Sequence, residues 1–217
     1  MTPRAVSVLQ EVDFAYSEDT RISRRLFNHF EIDTPIRRFD DRTSERKIPE
    51  VLELLMQGSN IALISDAGTP VISDPGMPLV NAVLGAEIEV ATVPGPSAPV
   101  AALSISGLPA HAYYFGGFLP RKAGKRENLL QSLDALNATL IFFESPYRVV
   151  TVLQHLAELY PNRQAAIARE LTKKHEELIR GNLQELASEF TARKESTDAG
   201  KSATIKGEFV ILIAPMK

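Results

Sequence analysis

Three short stretches collect the residue types that could do chemistry: Ser65-Asp-Ala-Gly-Thr-Pro-Val-Ile-Ser-Asp-Pro-Gly76, Val93-Pro-Gly-Pro-Ser-Ala98 and Glu144-Ser-Pro-Tyr-Arg148. Each follows a run that reads as a strand. Gly68, Pro70, Pro75 and Gly76 keep the first stretch out of helix or ladder, which leaves its backbone N–H and C=O groups for other partners. If the three turns share one sheet edge, they line a pocket with backbone amides, the hydroxyls of Thr69, Ser73 and Ser97, and a few carboxylates. That lining suits an uncharged or cationic cofactor. An ordinary crossover turn is the competing reading of 65–76. Neither Gly-x-x-x-x-Gly-Lys-Ser/Thr nor Gly-x-Gly-x-x-Gly occurs, so the usual phosphate-cradling fingerprints give no support for a nucleoside triphosphate or dinucleotide. Cysteine is absent, and His29, His111, His155 and His175 have no metal-ligand spacing, so no metal site is expected.

Positive charge concentrates in Arg121-Lys-Ala-Gly-Lys-Arg126, a candidate polyanion contact, and more dilutely in Arg37, Arg38, Arg42, Arg46 and Lys47. The net charge of −3 argues against a whole surface built for nucleic acid, though not against a local patch. With 44% hydrophobic and 24% charged residues over 217 positions, the composition is that of a globular protein in one large or two small domains. No apolar run reaches the roughly 20 residues of a membrane span, and the first residues lack a signal peptide's apolar core; a cytoplasmic location follows as an expectation.

The elements that must position these turns alternate. Helices are expected over 3–11, 19–30, 45–57, 77–84 and 97–106, with Asp19 or Thr20 as a cap. Strands are expected over 13–17, 61–64 and 87–92. The run Ile61-Ala-Leu-Ile64 is read as the central strand, buried on both faces. Gly107-Leu-Pro-Ala-His-Ala112 is the candidate linker, giving domains 1–110 and 111–217. Beyond it, strands fall at 113–118, 139–143, 163–168 and 209–214, helices at 125–136, 146–160 and 183–190. Residues 176–179 are read as pairing in the sheet, and Asn182 as a helix cap. The polar stretch 193–206 reads as a mobile loop. The expected class is α/β, two α/β domains with parallel or mostly parallel sheets.

Five motifs in order, the three stretches above (the last as Phe142-Phe-Glu-Ser-Pro-Tyr-Arg148) together with Gly116-Gly-Phe-Leu-Pro-Arg-Lys122 and Ala168-Arg-Glu-Leu-Thr-Lys173, closely resemble the ribosomal small-subunit RNA methyltransferase I family of the tetrapyrrole-methylase (class III) superfamily. Ser17-Glu-Asp-Thr-Arg21 matches the family's Glu-Asp-Thr-Arg signature. The resemblance implies two tetrapyrrole methylase-like domains with S-adenosylmethionine in the cleft between them, a homodimer, and methyl transfer to the 2′-hydroxyl of a cytidine in ribosomal RNA or the small ribosomal subunit. Carried over onto matching positions, the cofactor contacts are Ala67, Gly68, Thr69, Ile72, Ser97, Ala98, Glu144, Leu171, Gly207 and Glu208. A ribose hydroxyl needs a base within hydrogen-bond reach. Glu144, Asp74 and Glu18 lead the candidates, with Asp19 and Glu170 behind them. Arg21, Arg121, Lys122, Lys125, Arg126 and Arg148 are the candidate RNA contacts.

The pattern departs from the family in two places. Members normally begin with a strand ending in Pro-Thr-Pro-Ile-Gly-Asn-Leu, and this sequence starts after that point. Where the family carries histidines near Asn-Glu, this chain has Phe39-Asp-Asp-Arg-Thr-Ser-Glu45. Three other readings stand beside the main one: a same-fold methyltransferase on another, tetrapyrrole-like substrate; an inactive, truncated binding protein; and a phosphohydrolase using Asp66. The last match is incomplete, because such enzymes want a second Asp at position 68, which is Gly.

Overall fold

The computed structural model describes residues 1–40, 43–198 and 205–216. The chain divides into two compact units, Met1–Ser97 and Ala98–Lys217, so the 107–112 stretch lies inside the second unit.

In the first unit, α1 (Pro3–Glu11) leads to β1 (Phe14–Ser17), α2 (Thr20–His29), β2 (Ile36–Arg38), α3 (Ser44–Met56), β3 (Ile61–Ile64) and α4 (Met77–Gly85). The three strands form a wholly parallel sheet in the order β2-β1-β3. Strand alternation sorts the apolar residues onto two faces. Tyr16, Ile61 and Leu63 pack with Val51, Leu79 and Val83 of α3 and α4, while Ala15, Ala62 and Ile64 pack with Leu9 and Phe27 of α1 and α2. The expectation for 61–64 needs correction: β3 is an edge strand, half-buried along its length, and the central strand is β1, whose Ala15 and Tyr16 are wholly buried. β2 went unread because three residues with two arginines carry no usable period. The expected strand at 87–92 makes no ladder among the described residues. Glu87 sits in the left-handed region (φ 58°), and of the two β-branched apolar side chains Ile88 reaches the core while Val90 stays 45% exposed.

The second unit contains α5 (Ala98–Ser106), β4 (Tyr113–Phe118), α6 (Ala123–Leu133), β5 (Thr139–Glu144), α7 (Val149–Leu159), β6 (Gln164–Arg169), β7 (Glu177–Asn182), α8 (Leu183–Asp198) and β8 (Phe209–Ile213). Its five-stranded sheet runs β4-β5-β8-β6-β7. Only β4 and β5 are parallel; β8 inserts antiparallel between β5 and β6, and β7 lies antiparallel on β6. The sheet is therefore mixed, a correction to the mostly parallel expectation. Phe142, Ile167, Phe209, Ile211 and Ile213 face the main core beneath α6, α7 and α8. Ile141, Ala166, Ala168, Val210 and Leu212 face α5 through Ala102 and Leu103.

Residues 193–198, expected in a mobile loop, continue α8, and 199–204 lie outside the described residues. The start of α8 is a reciprocal cap. The Asn182 side chain accepts the Glu185 N–H at 2.9 Å, and the Glu185 carboxylate accepts the Asn182 N–H at 3.0 Å. Asn182→Ala should lower the free energy of unfolding in urea by about 1 kcal/mol, with Asn182→Asp much closer to the parent.

Candidate functional site

Parallel strands end together. In the first unit the carboxyl edge therefore gathers the segments after β1 and β3, and a bond fixes their spacing: the Asp19 N–H donates to Asp66 Oδ1 at 3.2 Å. Asp19 also caps α2, accepting from the Arg21 backbone N–H at 2.9 Å and pairing with its guanidinium at 2.6 Å. The Arg21 hydrogen bonds hold the Asp19 carboxyl well below the usual carboxylate range. Arg21 is thus tied to its own helix cap, and Glu18 is half-buried beside it.

Beyond Asp66, Ala67 and Gly68 are exposed, with Gly68 at φ 78°. Thr69 Oγ1 donates to the Pro96 carbonyl at 3.0 Å, which joins the first predicted stretch to the second. Ile72 is 49% exposed and Asp74 half-buried. Val71 (φ 75°) and Ser73 (φ 66°) are held in the left-handed region, a strained backbone for residues that are not glycine. Gly76 (φ 137°) closes the loop where a Cβ would come within 2.7 Å of Leu63 Cδ2. Ser97 is half-buried at the end of this unit.

In the second unit the strand register does the gathering. Glu144 of β5 and Arg169 of β6 both lie opposite Phe209 of β8, so the loops after β5 and β6 and the segment before β8 share one edge. The chain after β4 reaches the same edge, since Phe118 pairs with Phe143. Gly207 (φ 106°) strongly favours glycine, because a side chain there would be strained and its Cβ would lie 2.7 Å from Glu170 Cδ. The Glu170 carboxylate accepts the Glu208 N–H at 2.9 Å and Lys173 Nζ at 3.0 Å, and Lys173 also meets Glu208 Oε2 at 3.0 Å. Leu171 and Ala98 pack against the same apolar cluster as Phe115 and Phe143.

Glu144 differs from the other carboxylates. Its side chain is wholly buried; Oε1 accepts the Ser145 N–H at 2.7 Å, and Oε2 lies 3.2 Å from an Arg148 guanidinium nitrogen without hydrogen-bond alignment. Burial raises its pKa, opposed by the Ser145 N–H and by the charges of Arg148 and Arg126. The carboxylate is thus withdrawn from solvent in this arrangement. Arg148 turns inward as well, donating to the Leu119 carbonyl at 2.6 Å. Arg126 is 4% exposed, donating to His155 Nδ1 at 3.0 Å and to the Pro120 carbonyl at 3.4 Å, which removes it from the surface cluster. Arg121, Lys122 and Lys125 remain exposed.

Bonds join the segments after β1 and β3 and tie Thr69 to Pro96 in the first unit, and in the second unit Glu170, Lys173 and Glu208 meet, while Arg126, Arg148 and Glu144 form an internal ion cluster. Sequence reasoning missed His155 and Lys173 as members of these networks. Lys173 ends a quoted motif, and His155 lies seven residues beyond Arg148, two helical turns along α7.

The Glu170 pKa is lowered chiefly by the Glu208 N–H and then by Lys173. A depressed carboxylate stabilises the fold fully above its unfolded pKa, and that contribution disappears as pH falls through the folded value. Glu170→Gln should therefore be less stable than the parent in urea at neutral pH, and the difference should shrink as the pH falls through the depressed folded pKa.

Comparison with known proteins adds three kinds of likeness. The profile of the tetrapyrrole (corrin/porphyrin) methylases matches residues 1–187. Proteins named ribosomal RNA small subunit methyltransferase I are similar along the chain. The one from Thermotoga maritima is 44% identical over 194 residues, 89% of this chain and 87% of its own length. That from Synechocystis is 45% identical over 215 residues, 99% and 74%. That from Micromonospora olivasterospora is 42% identical over 214 residues, 99% of this chain but 66% of the relative. Among solved structures, the methyltransferase CobJ superposes with a TM-score of 0.67 at 18% identity, covering 99% of this chain and 88% of that one. A uroporphyrin-III C-methyl transferase from Thermus thermophilus, complexed with S-adenyl homocysteine, gives 0.60 at 18%, covering 98% and 90%. At such identities these two likenesses show the fold alone.

Proposed function

We propose, from the premise that this chain belongs to the tetrapyrrole methylases and within them to the ribosomal RNA small subunit methyltransferase I family, that it transfers a methyl group from S-adenosylmethionine to the 2′-hydroxyl of a cytidine in small-subunit ribosomal RNA. The observation that carries the reading is the residue set at the first unit's edge: exposed Ala67 and Gly68, a hydroxyl at Thr69, carboxylates nearby and no lysine between 48 and 121. Such a lining fits a cofactor with a cationic centre and many neutral polar groups. When bound, that cofactor supplies a methyl group already activated by the positive charge on its sulfur.

The chain's own part is binding and orientation. We assign Ala67, Gly68, Thr69, Ile72 and Ser97 of the first unit, and Ala98, Leu171, Gly207 and Glu208 of the second, to the cofactor. Glu144 is a positioning residue: through Ser145 and Arg148 it fixes the turn after β5. The proton of the ribose hydroxyl goes to Glu18 or Asp74, half-buried carboxylates on the segments that follow β1 and β3. Exposed Arg121, Lys122 and Lys125 meet the phosphate backbone. A homodimer in the cytoplasm is part of the proposal; among the described residues no helix is long and apolar enough to cross a membrane.

Labelled methyl should pass from S-adenosylmethionine to unmethylated small ribosomal subunits and appear, by mass spectrometry of the digested RNA, as a single 2′-O-methylcytidine. Label on a base, or none in the RNA, would count against the assignment. Replacing Arg121, Lys122 and Lys125 together with Gln should lower the slope of log affinity against log salt by about 2, as expected for three phosphate contacts on single-stranded RNA.

A further inference from the structure

Tyr147 is 95% exposed, the most exposed of the large apolar and aromatic side chains. Its backbone is nonetheless firmly held. It sits in the turn Ser145-Pro-Tyr-Arg148, with the Arg148 and Val149 N–H groups donating to the Ser145 carbonyl at 3.1 and 3.0 Å. Pro146 presets the first central position of that turn. On one side the turn is anchored by the buried Glu144, and on the other by Arg148, which grips the Leu119 carbonyl. Among the described residues the Tyr147 ring has no aromatic or cationic partner.

A second exposed aromatic lies on the segment that Arg148 grips. Phe118 is 55% exposed, its ring braced edge-on against Phe143 at 5.7 Å between centroids. Three residues further on come Arg121, Lys122 and then Lys125, all exposed. Leu119 and Pro120, which join Phe118 to these cations, are held by Arg148 and Arg126. One sheet edge thus presents two rings on held backbone beside three exposed cations, the combination by which proteins hold single-stranded nucleic acid. Pure charge would bind any polyanion. Rings presented to solvent add faces for unpaired bases.

We infer that Tyr147, with Phe118, forms a base-stacking platform for an unpaired segment of the RNA substrate, with Arg121, Lys122 and Lys125 tracking its phosphates. The inference rests on the methyl-transfer reading above and deepens it. Stacking operates through the ring face, so it should depend on aromaticity and not on the phenol hydroxyl or on salt.

The test measures the affinity of the full chain for unmethylated small ribosomal subunits across a range of salt, for the parent, Tyr147→Phe, Tyr147→Leu and Tyr147→Ala. Tyr147→Phe should bind as the parent does. Tyr147→Leu and Tyr147→Ala should bind about 5- to 100-fold more weakly, with the salt slope and the affinity for S-adenosylmethionine unchanged. Equal binding by all four chains would overturn the platform, as would a loss in Tyr147→Ala that follows a change in oligomeric state on sedimentation. A parent chain that neither binds nor methylates the subunits would instead overturn the underlying reading, and the platform with it.

Discussion

A carboxylate withdrawn from water at the end of a strand constrains everything near it. Glu144 occupies that position, with a wholly buried side chain and a pKa raised by burial. Placing a charged group there without compensation would cost several kcal/mol, so partners must be supplied from the surrounding chain. The Ser145 N–H supplies one, and Arg148 brings the opposite charge. Arg148 is itself satisfied by the Leu119 carbonyl, and Arg126 by the Pro120 carbonyl and His155. Once these bonds are made, the turn after β5 and the chain after β4 cannot move independently. The exposed residues on both, among them Tyr147 and those from Arg121 onward, follow backbone that this buried network holds in place.

The first unit reaches a similar end by another route. Its loop after β3 keeps two residues that are not glycine, Val71 and Ser73, at positive φ, each costing on the order of 1–3 kcal/mol. Packing over-determines them. Gly76 closes the loop directly over Leu63 and Val71, and Thr69 ties it to the Pro96 carbonyl. The result is a pair of exposed residues, Ala67 and Gly68, on a loop held in one arrangement. A flexible loop of the same composition would have to be ordered by each ligand it met.

Much of this was legible in the sequence, because local patterns decide it. The apolar period of α1, the capping residue of α2 and the strand at Tyr113–Phe118 could be read directly. Non-local facts could not. That β8 slips antiparallel between β5 and β6, or that β3 lies at an edge while β1 is central, depends on pairing between segments far apart in the chain. Residues 87–92 alternate like a strand yet find no partner among the described residues, and alternation alone cannot reveal that. The site was read by motif and misread by charge. Arg126 looks like a fourth member of a surface cluster, but α6 turns it inward toward His155. Glu144 reads as a base candidate, and its place at the end of an interior strand withdraws its carboxylate from solvent. In both cases the residue type was plain and its direction was not.

The account's central claim is that the residues at these edges hold S-adenosylmethionine. Calorimetric titration of S-adenosylmethionine into the purified chain tests it most directly. The account expects saturable one-to-one binding that weakens when Gly68 or Gly207 is replaced by a larger residue. An absence of binding by the folded parent chain would contradict it.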